Sequence, residues 1–331
     1  MAELIAHLPH TTPEASEPHF KKTGSSRRNR FFFSLVTAAR PTQWPKNLLL
    51  FAAPAAAGVL TEPSVGLHAL LAAMAFTLGS AATYFLNDLR DMSADQNHPT
   101  KKFRPFAAGQ ISVSTGYVVA FLLTGAALCT AMTVGWMTVA GLSAYLVLTT
   151  AYSLYLKRFP VVDILAVALG FVVRAISGAL ATGVALTSWF VLVTFFGALY
   201  IVTAKRAAEL QAYTPPMENM GTPTMPRPQS RVSLSLYTEG WLERTLTLAL
   251  TSAIICYSLW AVQYPGSALG SVLIQASIFA FVATLLRYGY LCSRGDGQRP
   301  EHLIFSDGFL AAAAITWLGP VTAGIYLSIS G

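Results

Sequence analysis

The chain has 331 residues, of which 54% are hydrophobic and only 11% charged, against roughly 25% charge in an ordinary soluble domain. With a mean hydropathy of +0.52 and a net charge of +7, it carries more apolar surface than one soluble core of this length can hide, so a bilayer must solvate most of it. Cys129, Cys256 and Cys292 are odd in number, far apart and in no CxxC or Cys/His cluster, which excludes a disulfide scaffold and a cysteine zinc site.

Residues 1–30 are polar and lack the apolar run of a signal peptide, and they are expected to form a disordered cytoplasmic tail ending in the basic run Lys21 to Arg30. That run suits anionic lipid and suits a solvated flank equally well. Phe31 to Arg40 fits a short interfacial helix leading into the membrane.

Five long stretches follow. Asn47 to Asn87 holds only Glu62, Pro105 to Leu156 holds no charge, Phe159 to Ala204 holds only Asp163 and Arg174, and Thr245 to Leu286 and Gly308 to Gly331 hold none. A helix needs about 20 residues to cross a bilayer, so the first four have hairpin length and the last has single length. Each long stretch has a turn signal near its middle: Thr61-Glu62-Pro63, Gly135-Trp136, Thr182-Gly183 and Tyr264-Pro265-Gly266. The expectation is an all-α integral membrane protein of nine transmembrane helices, with 31–331 as one catalytic domain and 214–230 as a cytoplasmic loop. Of the 22 Lys and Arg, 21 fall on one side of this arrangement, the exception being Arg174. Basic loops stay inside, which predicts a cytoplasmic N-terminus, an outer C-terminus and residence in the plasma membrane. No nucleic-acid partner is expected, and homo-oligomer formation stays open.

The chemistry gathers on the basic side. A helix continuing through Asn87-Asp88-x-x-Asp91-x-x-x-Asp95 would place the three carboxylates on one face, Asp88 and Asp95 about 10 Å apart along the axis. Such crowding calls for a cation, and all-oxygen donors favour Mg²⁺ together with a substrate's phosphates. A charged loop solvated by cytoplasm is the plainer alternative. His98, Lys101 and Arg104 follow at once, which suits phosphate recognition; His98 equally suits a simple loop histidine. Lys46 and Asn47 open the first span, Tyr152, Lys157 and Arg158 close the fourth, and Lys205, Arg206 and Glu209 close the sixth. Arg174 lies inside a span, where a cation needs a polar partner, and either a buried pair with Asp163 or a phosphate would serve.

On these residues the chain resembles the UbiA superfamily of intramembrane prenyltransferases, whose first Asp-rich motif has the pattern of Asn87 to Asp95. The resemblance runs from Arg40 to the C-terminus. It implies a nine-helix bundle with a cytoplasmic polar site, and a prenyl diphosphate held through Mg²⁺ at two Asp-rich motifs for transfer to an aromatic acceptor. The second motif departs from that pattern: Lys205-Arg206-x-x-Glu209 stands where a DxxxD-like pair belongs, and only Glu209 can replace a carboxylate. RPxQWxKN at Arg40 to Asn47, NDxxDxxxDxxHPxKxxRP at Asn87 to Pro105 and KRxxE at Lys205 to Glu209 together resemble one branch in particular. In that branch the lipid, decaprenyl (polyprenyl) phosphate, is the acceptor and phosphoribosyl pyrophosphate the donor.

The resemblance implies catalytic Asp88, Asp91 and Asp95, with Asp88 and Asp91 on Mg²⁺. It implies substrate contacts from Asn87, His98, Lys101, Arg104, Tyr152 and Glu209, with Lys46, Asn47, Lys157 and Arg158 along the diphosphate and 5-phosphate. Arg174, Lys205 and Arg206 would draw in the lipid phosphate, and Gly170 and Gly178 would leave room for its tail. A lipid-phosphate transporter or binding protein is the rival from another class, and the lack of a charged path to the other face counts against transport.

Overall fold

The computed structural model describes residues 27–211, 232–294, 303 and 306–330. The expected tail therefore lies mostly outside the described residues, and the 214–230 loop lies outside them entirely. The interfacial helix α1 (Arg27–Ala38) begins earlier than the sequence suggests. It turns Phe32 and Phe33 outward while Leu35, Ala38 and Ala39 pack on Phe85, Leu89 and Phe106.

Eight helices are long and apolar enough to cross a membrane. They are α3 (Pro63–Arg90), α5 (Val113–Val134), α6 (Trp136–Leu154), α7 (Val162–Thr182), α8 (Ser188–Gln211), α9 (Glu239–Gln263), α10 (Ala268–Ser293) and α11 (Gly308–Ser330). All described regular structure is helical. The expected first span takes another form, a 3₁₀ helix Pro41–Phe51 running into the short α2 (Ala52–Ala56). Pro45 inside the 3₁₀ segment cannot donate an i→i−4 bond, which favours the tighter winding there.

The turn signals fall where expected. Pro63 sits in the first turn of α3, Gly135 (φ 150) joins α5 to α6 and Gly183 (φ 71) ends α7. Ser112, Thr238 and Ser267 cap α5, α9 and α10 by accepting a backbone N–H from Thr115, Trp241 and Gly270.

α3 and α7 are the two central helices: 61% of the apolar window of each is buried, against 33% or less for every other span. On α7, small residues admit the 3₁₀ helix. A Cβ at Gly178 would sit 2.0 Å from the Leu50 carbonyl oxygen, so backbone packs on backbone. Gly178 is thus filled by this chain's own main chain and leaves no room for a lipid tail. One turn earlier on α7, Arg174 grips the same 3₁₀ helix through Asn47. The two contacts fix how the segment after Arg40 meets the bundle, and so where Arg40 itself stands.

Candidate active site

The ends of α3, α6 and α8 and the start of α7 meet at one end of the bundle. α3 stops at Arg90, Asp91 leaves helical geometry (ψ 3), and a separate short α4 (Met92–Gln96) carries Asp95. The continuous helix face expected for the three aspartates is therefore broken at Asp91, and the carboxylates divide. Asp88, 3% exposed, accepts from Arg40 Nη2 at 2.5 Å and from Arg104 Nη1 at 3.3 Å. The same Arg104 nitrogen donates to Asp95 Oδ2 at 2.7 Å. Asp91 instead meets Lys157 Nζ, 3.3 Å from both of its oxygens.

Arg40 was legible only as the first residue of a motif, yet it contributes the shortest contact to Asp88. It adopts a left-handed backbone (φ 52), rare for a residue with a Cβ, and lays its guanidinium over the Tyr84 ring at 5.0 Å. The sequence does not mark Arg90 either. It caps the C-terminus of α6, donating to the carbonyls of Ser153 at 3.0 Å and Leu154 at 3.2 Å, and so ties α3 to the connector that bears Lys157.

His98 Nδ1 receives the backbone N–H groups of Thr100 at 3.3 Å and Lys101 at 3.4 Å. That places the proton on Nε2, a buried atom with no partner among the described residues. Burial, then Lys101, pushes the imidazole below its ordinary value against the pull of Asp95, which keeps it neutral. Lys101 stands among Arg104, Asp95, Asp91 and Glu209; burial and then Arg104 push its ammonium below the usual lysine range.

A cation held under that penalty works against the stability of the ligand-free fold. Lys101→Met should raise the melting temperature of the ligand-free protein while weakening binding of a diphosphate-bearing substrate. The depressed folded value makes the stabilising gain largest at neutral pH, and it should shrink as pH rises through the lysine range. Thermal unfolding at pH 7 and pH 10 beside a diphosphate titration checks both halves; a lower melting temperature at pH 7 contradicts the reading.

In KRxxE, the arginine reaches side chains on α6 and α7 and the motif's own glutamate. Arg206, 2% exposed, donates from Nε to Asp163 at 3.2 Å, from Nη1 to Glu209 at 3.0 Å and from Nη2 to Tyr152 at 3.2 Å. Asp163 also accepts from Ser233 at 3.2 Å and from Tyr237 at 2.5 Å. Burial and this bond push the Tyr237 hydroxyl well above its ordinary range, so it stays a donor. Nothing in the sequence marks Ser233 or Tyr237, which follow a Pro/Thr-rich stretch.

Arg174 pairs with no carboxylate among the described residues. It donates to Asn47 at 2.9 Å, the Gly170 carbonyl at 3.0 Å and the Tyr145 hydroxyl at 2.8 Å, and stacks on Tyr145. The pair with Asp163 fails on distance, because 11 residues of helix rise about 16 Å. Asn87 lines a small cleft against α6 with Thr83, Thr150 and Ser153. Lys46 is half-buried in the 3₁₀ helix, Lys205 is half-buried, and Arg158 is exposed.

The model of the UbiA prenyltransferase family matches residues 48–326. The chain belongs to the UbiA prenyltransferase family. Among curated UbiA relatives, decaprenyl-phosphate phosphoribosyltransferase of Corynebacterium glutamicum is 33% identical, over 94% of this chain and 94% of that protein. The protein of that name from Mycobacterium tuberculosis is 36% identical over 88% of this chain and 94% of its own length. In fold, the chain is similar to a UbiA homolog from Archaeoglobus fulgidus bound to DMAPP and Mg²⁺, with a TM-score of 0.65 at 19% identity over 90% of this chain and 99% of that one. The same homolog bound to GPP and Mg²⁺ gives 0.63 at 18% identity, over 90% and 100%. The UbiA fold thus accounts for the helical bundle.

Mg²⁺ requires hard oxygen donors and characteristically takes one or two carboxylates, the rest of its shell coming from water and phosphate. The described residues hold no group of three or more His, Cys, Asp or Glu placed to enclose a metal. Asp88, Asp91 and Asp95 fit the weaker requirement. Each is paired with a basic side chain: Asp88 with Arg40, Asp95 with Arg104 and Asp91 with Lys157.

Proposed function

We propose that this chain transfers 5-phosphoribose from phosphoribosyl pyrophosphate to decaprenyl or another polyprenyl phosphate, releasing diphosphate and making a lipid-linked precursor of cell-wall arabinose. The observation that carries this reading is the pairing of every aspartate of the first motif with a basic side chain, in a chain at least 33% identical over nearly its whole length to proteins named for this transfer. The site lies on the cytoplasmic side, in a multi-pass protein of the plasma membrane whose C-terminus is outside. The 3₁₀ helix with α2 makes a ninth crossing: 11 residues at about 2.0 Å and five at about 1.5 Å reach roughly 30 Å, the thickness of the hydrocarbon core.

Asp88 and Asp91 would hold Mg²⁺, which when bound would supply the charge neutralisation that makes diphosphate a better leaving group. The chain's own groups do the rest. Arg40, Arg104 and Lys157 exchange their carboxylate partners for phosphate oxygens, and Lys101 joins them from its place beside Asp95 and Glu209. The His98 Nε2–H donates to an oxygen of the donor. As the C1–O bond breaks, the ribose ring gains positive charge, which Asp95 and its neighbours stabilise. The acceptor phosphate is already anionic, so no general base is needed, and attack from the opposite face inverts the anomeric carbon.

The test offers the purified protein Mg²⁺ and polyprenyl phosphate with labelled phosphoribosyl pyrophosphate, and in parallel labelled prenyl diphosphate with an aromatic acid. Label entering lipid phosphate in the first arm alone is expected. Product in the second arm alone overturns the reading in favour of prenyl transfer.

A further inference from the structure

We propose that Arg206, Asp163 and Tyr237 form a positioning set that holds the connector 155–161 so that Lys157 faces Asp91, and that Arg206 itself binds no phosphate. The inference deepens the proposed function and rests on it for the identity of the donor.

The connector is gripped at both ends. Before it, Arg206 takes Tyr152, and Arg90 takes the carbonyls of Ser153 and Leu154. At its far end, the Tyr237 hydroxyl accepts the Val161 N–H at 2.6 Å while donating to Asp163. Val161 has φ 68, a conformation that its branched side chain resists, so its geometry depends on being held. Between the two grips lies Lys157, with its ammonium equidistant from both Asp91 oxygens. A short connector fixed at each end has little freedom to move that ammonium elsewhere.

Charge argues the same way. Arg206 carries one positive charge against the two negative charges of Asp163 and Glu209 in direct contact with it. A phosphate taking this guanidinium would also leave Asp163, 0% exposed, without its cation, and an uncompensated buried charge is strongly destabilising. The segment 232–237 serves the same hold, since Ser233 and Tyr237 complete the shell of Asp163 and Tyr237 carries the restraint to Val161.

The test is a double-mutant cycle on the full-length protein in detergent, read as binding of inorganic diphosphate with Mg²⁺ by calorimetry. Arg206→Lys and Tyr237→Phe are each combined with Lys157→Ala. Each single variant should weaken diphosphate on the order of tenfold, the scale of a side chain displaced by a fraction of an ångström. In the Lys157→Ala background the same changes should have less than about a twofold effect, because the group they position is gone.

Full additivity overturns the proposal. So does Arg206→Lys keeping the affinity that Arg206→Ala loses, since that pattern marks a charge contact with phosphate. If Tyr237→Phe does not fold, Ser233→Ala removes one Asp163 donor and takes its place in the cycle. Diphosphate is the leaving group of both candidate donors, so the cycle remains interpretable even if the transfer assay returns prenyl transfer.

Discussion

Asp91→Asn should lower kcat/KM about 10²- to 10³-fold while moving the melting temperature by no more than about 2 °C, whereas Asp88→Asn should remove comparable activity and also destabilise the fold by about 2–4 kcal/mol. The contrast follows from surroundings. The Asp91 side chain is 37% exposed and has one lysine partner, and such half-solvated pairs add little to stability. The Asp88 side chain is 3% exposed, and its one oxygen holds two arginines from segments on either side of it in sequence. Neutralising it leaves Arg40 and Arg104 facing a weak acceptor, and Arg40 already holds an unfavourable backbone conformation. Mg²⁺-dependent turnover and thermal unfolding of the two variants in one detergent separate the effects. Full turnover in Asp91→Asn would remove that carboxylate from the metal role.

Much of this arrangement was legible in the sequence, because two strong forces write it there. Lipid solvation demands long apolar stretches, so charge-free runs and their Gly/Pro turns located the spans and hairpins, down to Gly135 and Gly183. The Asp-rich motif was visible because three carboxylates beside a membrane have few uses. Three things were hidden. The segment Pro41 to Ala56 reads as an ordinary span, although Pro41, Pro45 and Pro54 argue against a regular α-helix, and hydropathy does not separate 3₁₀ from α winding.

Arg174 and Asp163 looked like partners because their helical phase agrees, but phase says nothing about the axial distance between them. Their real partners come from other segments: Asn47 and Tyr145 for one, Arg206 and Tyr237 for the other. In KRxxE the sequence shows the charge of Arg206 and not the buried Asp163 that it contacts. Contacts such as Tyr237 to Asp163 span 74 residues, and no local pattern encodes them.

Gly178→Ala should cost about 2–4 kcal/mol of stability and lower activity on the order of 10²-fold, although the residue touches neither carboxylates nor phosphate ligands. The added methyl would lie 2.0 Å from the Leu50 carbonyl oxygen and 2.7 Å from its Cα, and backbone atoms cannot rotate away as a side chain can. The 3₁₀ helix would have to move off α7 by more than an ångström. That motion stretches the Arg174–Asn47 bond and shifts the segment that begins at Pro41, immediately after the arginine on Asp88. Gly125→Ala is the control. Its Cβ would meet nothing within 4 Å, so the better helix propensity of alanine should leave stability equal or raise it by up to about 1 kcal/mol, with turnover unchanged. Melting curves and initial rates for both variants decide it. A Gly178→Ala protein with normal stability and normal rates would show that the contact between α7 and the 3₁₀ helix yields freely, and would release Arg40 from dependence on it.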